Sequence, residues 1–140
     1  MSQYVRTYAY EFADENAPPI LPPASIPQGA AYFSEAQYLF NLSALGQPTV
    51  PFTASQQLLS DTMIRYWTNF ATSGDPNQTG LPVWPSFSGP PAQGDFLSLV
   101  PPSPVVESES AFLTDHKCGG GGNLPPPFSW LFIIDAIQEP

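Results

Sequence analysis

Cysteine, histidine and basic residues are all scarce in this 140-residue sequence. The single cysteine, Cys118, excludes an internal disulfide and any zinc site built from several thiolates. Three basic side chains stand against twelve acidic ones, which gives a formal net charge of −9. Because this charge repels polyanions, we expect no nucleic-acid partner and no binding to an anionic membrane surface.

Long apolar runs are missing as well. The longest strongly apolar run, residues 130–134, is far too short to span a bilayer. The first six residues contain no apolar segment typical of a secretory signal. We therefore expect a soluble chain without a signal peptide. If the sequence is part of a longer protein, an export signal could lie upstream of it.

Proline is abundant, with 19 residues, and is accompanied by 10 glycines. This composition predicts long stretches of loop. Residues 13–28 contain five prolines and are predicted to form a surface loop, and residues 101–110 are predicted to form a linker. The glycines at 119–122 and the prolines at 125–127 open a tail with no recognisable partner in the rest of the chain.

One amphipathic helix is predicted over residues 55–71. Four large apolar side chains share one face of it, at spacings of four, four and three: Leu59, Met63, Trp67 and Phe70. Thr53 and Gln56 fit a capping box at the start, in which each side chain satisfies a free backbone N–H group. Gly74 can adopt the left-handed conformation that ends a helix.

The other predicted elements are shorter. Residues 4–12 alternate large apolar and other side chains and predict a β-strand. A second capping-box pattern, Ser34 to Gln37, predicts a short helix that ends near Phe40. Residues 96–100 predict a short strand, and residues 111–118 a short helix or turn.

The residues alone do not complete an active site. The only histidine, His116, follows Asp115 and precedes Lys117, which favours a solvated or capping side chain. No serine stands in the Gly-x-Ser-x-Gly elbow that exposes a nucleophile. Glu107 and Glu109 lie in the predicted linker, which favours a solvated pair. We expect no metal site, because the spacing typical of metal ligands is absent.

Several segments, in this order, resemble the C-terminal part of the type B carboxylesterases, the cholinesterase-like branch of the α/β-hydrolases. The most specific segment is residues 67–77, which read Trp-x-Asn-Phe-Ala-x-x-Gly-Asp-Pro-Asn. The others are residues 8–12, 29–35, 38–40, 84–85 and 115–118. The resemblance thus extends from residue 4 to residue 118.

The resemblance implies an α/β fold, namely the C-terminal fragment of an α/β-hydrolase with proline-rich loops. Residues 4–12 would be the last strand of the sheet, residues 29–35 the histidine loop, and residues 55–71 the C-terminal helix. Residues 1–118 would form the incomplete carboxylesterase-like domain. Residues 119–140 would be an unrelated Gly/Pro-rich and apolar tail.

The resemblance also implies a chemistry. Such enzymes hydrolyse small-molecule carboxylic esters with a Ser-His-acid triad and need no cofactor. In this fold the nucleophile and the acid precede the histidine in the chain, so both are expected upstream of residues 29–35. The histidine loop of the family reads Gly-x-x-His-x-x-Glu. Glu35 matches its glutamate, whereas Tyr32 occupies the histidine position.

Tyr32 changes the functional expectation. A general base for a serine hydroxyl titrates near neutral pH, whereas an ordinary tyrosine has a pKa of about 10. We therefore expect a member of the carboxylesterase lineage that is inactive as this chain. The alternatives are a non-catalytic binding or interaction protein derived from the same family, and a split enzyme completed by a separate N-terminal half. Family members are often secreted, which leaves the compartment open.

Overall fold

The structure, a computed structural model, describes residues 6–19, 30–31, 33–40, 42, 50–88, 94–116 and 132–135. These residues form four strands and three helices. In chain order they are β1 (Thr7–Phe12), α1 (Ala36–Leu39), α2 (Ala54–Ser73), β2 (Asp95–Leu99), β3 (Val105–Ser108), α3 (Glu109–Asp115) and β4 (Phe132–Asp135).

The four strands form one mixed sheet in the order β3-β2-β1-β4. β1 runs parallel to β2, with Tyr10 opposite Leu97. On its other side β1 runs antiparallel to β4, with Tyr8 opposite Ile134. β3 returns antiparallel to β2 and forms the second edge. The first strand of the chain is therefore an interior strand of the sheet.

The main helix confirms its sequence prediction. α2 begins one residue earlier and ends two residues later than predicted. The capping box is formed, because the Gln56 N–H donates to the Thr53 hydroxyl and the Gln56 side chain accepts from the Thr53 N–H. Gly74 has a φ of 70° and donates its N–H to the Phe70 carbonyl. All of these signals are local, which is why the sequence predicts them well.

The two faces of β1 pack against different helices. Its even-numbered side chains join Leu59 and Met63 of α2 and Trp84 in the larger core cluster: Tyr8, Tyr10 and Phe12. Ala9 lies on the opposite face in a smaller cluster with Phe96 of β2 and Phe112 of α3. The strand is buried on both faces, which is typical of an interior strand in an α/β sheet.

Three shorter predictions are wrong or incomplete. Residues 101–110, predicted as linker, contain β3 and the start of α3. β3 forms by pairing with β2, and no local sequence pattern predicts that pairing. Ser34 does not cap α1; Glu35 occupies the cap position without a side-chain hydrogen bond. The tail has a partner after all, since β4 pairs with β1. The domain boundary at residue 118 stays a prediction.

Within the described ranges, no helix has both the length and the apolar character needed to cross a membrane.

Candidate functional site

The predicted histidine loop leads into α1, which packs at the C-terminal end of β1. The ring of Tyr38 in α1 lies edge-on to Phe12, the last residue of β1, at a centroid distance of 5.1 Å. In open α/β sheets this end of the strands is where ligand sites form. Tyr32 itself lies outside the described residues. Its neighbours Ala31, Phe33 and Glu35 define the geometry of the loop.

Three successive backbone hydrogen bonds hold this loop. The Ser34 N–H donates to the Ala31 carbonyl at 3.0 Å, and the Ala36 N–H donates to the Phe33 carbonyl at 3.1 Å. The next bond runs from the Tyr38 N–H to the Glu35 carbonyl at 3.0 Å. The loop is thus a series of tight turns that continues directly into α1.

Phe33 is strained in this loop, because its φ is 71° and L-residues with a side chain rarely adopt the left-handed region. Its ring is half exposed and stabilises the loop little. We expect Phe33→Gly to raise the free energy of unfolding by about 1 kcal/mol relative to Phe33→Ala. Urea unfolding of the two variants tests this, since both lack the ring and only alanine keeps the strain. Equal stabilities would contradict it.

Glu35 lies close enough to Tyr10 of β1 to act on its ionisation. Burial raises the pKa of the Tyr10 phenol well above its ordinary value, and the negative charge of Glu35 raises it further. Glu35 is half-buried. Glu35 is also the N-cap residue of α1, and Tyr38 and Leu39 of that helix pack in the same core cluster as α2.

A buried carboxylate ties the end of β1 to both neighbouring helices. Asp14 is 4% exposed and lies two residues beyond β1. Its Oδ2 accepts from the Tyr38 hydroxyl at 2.5 Å and from the Gln56 Nε2 at 2.9 Å. Its Oδ1 accepts from the Asn16 N–H at 2.9 Å. The carboxylate thus has three donors and holds α1 and α2 in place around the loop.

A groove of about 630 Å³ opens beside this carboxylate. Most of its lining is polar or acidic: Asp14, Glu15, Asn16, Thr53, Ser55 and Gln56. The described residues that line the groove include no histidine or cysteine, and no three described His, Cys, Asp or Glu residues are placed to hold a metal ion. These residues can position the loop, but they do not form a nucleophile and base.

His116 lies elsewhere, at the end of α3. Its Nε2 is 2.9 Å from Oε1 of Glu11, which points to the α3 face of the sheet. The backbone N–H of His116 donates to the Phe112 carbonyl, and the rings of the two residues lie 4.2 Å apart. Burial raises the pKa of Glu11, although the imidazole opposes this effect. His116 is exposed and occupies the C-cap position of α3, in line with the solvated or capping side chain that the sequence suggested, and its ring also has a specific partner in Glu11.

The Gly-Asp-Pro-Asn turn after α2 positions a core tryptophan. The Asp75 carboxylate accepts from the Asn77 N–H and from its side-chain amide, both at 2.9 Å. Asn77 in turn binds the backbone of Trp84 twice, at 2.8 Å and 3.0 Å. The Trp84 indole N–H then donates to the Ala9 carbonyl of β1 at 2.9 Å. The residues of this turn therefore hold Trp84 against β1 in the core.

Sequence reasoning missed Asp14 and the second role of Gln56. It placed Asp14 in a surface loop and assigned Gln56 to capping alone. The available signal was the position of Asp14, because a carboxylate just past the C-terminal end of a buried strand lies where α/β sheets gather polar groups. Of the two residues singled out in the loop, Glu35 is placed by the structure and Tyr32 is not among the described residues.

Known proteins are similar to this chain in sequence and in fold. A profile of the carboxylesterase family matches residues 1–113. The chain is 44% identical to Carboxylesterase 5A of Canis lupus familiaris over 62 residues, which are 42% of this chain and 11% of that protein. It is 38% identical to the bile salt-activated lipase of Rattus norvegicus over 81 residues, which are 56% of this chain and 12% of that protein.

A solved structure of a thermophilic PNB esterase superimposes with a TM-score of 0.52 at 22% identity. The superposition covers 79% of this chain and 21% of the esterase. At that identity the likeness concerns the fold, which is that of the α/β-hydrolase esterases. The chain spans about a tenth of the length of the curated relatives that it matches.

Proposed function

This chain belongs to the carboxylesterase family, and on that premise we propose that it is a C-terminal segment of a serine-type carboxylic ester hydrolase that does not hydrolyse esters by itself. The observation that carries the proposal is the position of its only histidine. His116 pairs with Glu11 on the α3 face, whereas the loop from Ala31 to Glu35 leads into α1, which packs on the α2 face. The imidazole therefore lies across the sheet from α1, the helix that follows the loop in which the family has its base.

Tyr32 supports the same proposal. A phenol that titrates near pH 10 is protonated at neutral pH and can donate a hydrogen bond but cannot accept the proton of a serine hydroxyl. The chain also lacks a Gly-x-Ser-x-Gly elbow. Nucleophile, acid and oxyanion donors would therefore have to come from a complementary N-terminal part. Its substrates would be small-molecule carboxylic esters, as in the parent family.

We expect the purified chain to hydrolyse p-nitrophenyl acetate no faster than its Tyr32→Phe variant. The reason is that neither Tyr32 nor Phe can act as a general base, and no other described group pairs a nucleophile with a histidine. The measurement is the initial rate of p-nitrophenol release after subtraction of the buffer rate. Catalytic turnover above the buffer rate would contradict the proposal, and its loss in Tyr32→Phe would assign it to Tyr32.

A chimera tests whether Tyr32 really stands at the position of the base. In it, residues 1–113 of this chain replace the matching segment of an active carboxylesterase. The chimera with Tyr32 is expected to be inactive, and Tyr32→His is expected to recover activity by on the order of 10⁴-fold, the scale on which triad members act. Tyr32→Asn serves as the matched control. A folded chimera that gains nothing from histidine would overturn the assignment of Tyr32.

A further inference from the structure

Within the family segment, β1 has neighbouring strands on one edge only. The family match ends at residue 113 and includes β1, β2 and β3, which adjoin one another in the sheet. β4 begins at Phe132, beyond the match, and lies on the other edge of β1. This edge is therefore completed by a part of the chain that the family does not account for.

The packing of the strand faces distinguishes the two edges of the family segment. β3 is exposed or half-buried along its length, as expected for an edge strand. β1 is packed on both faces along the residues that β4 pairs, since Tyr8 and Tyr10 join the cluster with α2 and Ala9 joins the cluster with α3. A strand of this composition belongs in the interior of a sheet, with a neighbour on both edges.

The backbone of β1 presents alternate residues to its two edges. Ala13, which follows the strand, donates its N–H to the Leu99 carbonyl of β2. The carbonyls of Thr7 and Ala9 accept from the Phe87 N–H at 2.7 Å and from the Trp84 indole at 2.9 Å. The odd-numbered residues therefore face the β2 side, so Tyr8 and Tyr10 direct their N–H and C=O groups to the edge that β4 occupies.

We propose that this edge of β1 is a strand-acceptor site, and that β4 fills it in place of the strand that the rest of a carboxylesterase fold would supply. The ligand class is an extended apolar polypeptide segment that runs antiparallel to β1. Any complementary chain that joins the sheet here must first displace β4. This inference rests on family membership and on the sheet geometry, and it is independent of whether the chain hydrolyses esters.

The register yields a matched pair of variants in the full-length chain. Ile134 lies opposite Tyr8, so its N–H points toward β1, whereas the N–H of Ile133 points outward. Proline at 134 removes a ladder hydrogen bond, and proline at 133 removes none. We expect Ile134→Pro to increase hydrogen exchange at the Tyr8 and Tyr10 amides at least about tenfold more than Ile133→Pro does.

The amides of Glu11 and Ala13 face β2 and serve as internal controls, because they should keep their protection in both variants. Equal exchange at Tyr8 and Tyr10 in the two variants would overturn the proposal. If Ile134→Pro unfolds the whole chain, hydrogen exchange of the unaltered protein in denaturant still tests the proposal. Its Tyr8 and Tyr10 amides should open at lower denaturant concentration than those of Glu11 and Ala13, and the reverse order would contradict the proposal.

Acceptance of a strand in trans is tested with a synthetic peptide of residues 128–137. Added to the Ile134→Pro chain, it should restore protection at Tyr8 and Tyr10, and the same peptide with Ile134→Pro should not. If neither peptide restores protection, the edge does not accept a strand. Ester turnover by the chain would refute the proposed function and leave this exchange pattern unchanged.

Discussion

Replacing Trp84 by alanine is expected to lower the free energy of unfolding by about 3–5 kcal/mol. Trp84 is 1% exposed and joins α2 to the sheet. Four rings surround it at centroid distances between 5.2 and 6.0 Å: Tyr8, Tyr10, Tyr66 and Trp67. Alanine would leave a cavity among these rings, and the helix above them could close it only in part.

The indole hydrogen bond adds to this effect. Without the Nε1–H, the Ala9 carbonyl loses its 2.9 Å bond to the indole, but it still faces β2 in the parallel ladder. Trp84→Phe should cost about 1–3 kcal/mol, for the lost hydrogen bond and the smaller ring together. Because a small domain is stable by only about 5–15 kcal/mol, the alanine variant would lose a large share of its stability.

Urea unfolding followed by circular dichroism measures both variants. Val83→Ala is the matched control, because Val83 is the adjacent residue and is 71% exposed. It should change stability by less than about 0.5 kcal/mol. If Trp84→Ala were no more destabilising than Val83→Ala, the tryptophan would not anchor α2 to β1.

The success of sequence reasoning followed the range of the interactions. α2 was predictable because its caps join residues three or four apart, and its apolar face repeats every turn. β3 was not, because Val105 and Val106 are exposed and become a strand only through pairing with β2. Strands that pair over long sequence separations have few local sequence signals that predict them.

At the candidate site, too, local features could be predicted from the sequence and long-range contacts could not. Tyr32 and Glu35 could be aligned with the histidine loop of the family, so the sequence alone predicted that the catalytic general base is missing. The left-handed backbone at Phe33 could not be predicted, because phenylalanine disfavours that conformation and the surrounding turns enforce it. The contacts of Asp14 join it to side chains 24 and 42 residues away, and no spacing rule connects such distant positions.

Asp14→Ala should lower the free energy of unfolding by about 2–4 kcal/mol, because it leaves the buried Tyr38 hydroxyl and one hydrogen of the Gln56 amide without an acceptor. Gln56 retains its second bond, to the Asn16 carbonyl at 3.0 Å, which limits the loss. Urea unfolding measures the change. Glu15→Ala removes the same charge from the adjacent exposed position and should be nearly neutral.

A double-mutant cycle separates this network from simple burial. Tyr38→Phe alone should cost about 1–2 kcal/mol, because the carboxylate then keeps only its Gln56 and Asn16 donors. In an Asp14→Ala background the same change should cost much less, since its partner is already gone, with a coupling energy of about 1–2 kcal/mol. Strict additivity would show that Asp14 and Tyr38 act separately. The carboxylate would then not be the group that holds α1, and with it the histidine loop, at the end of β1.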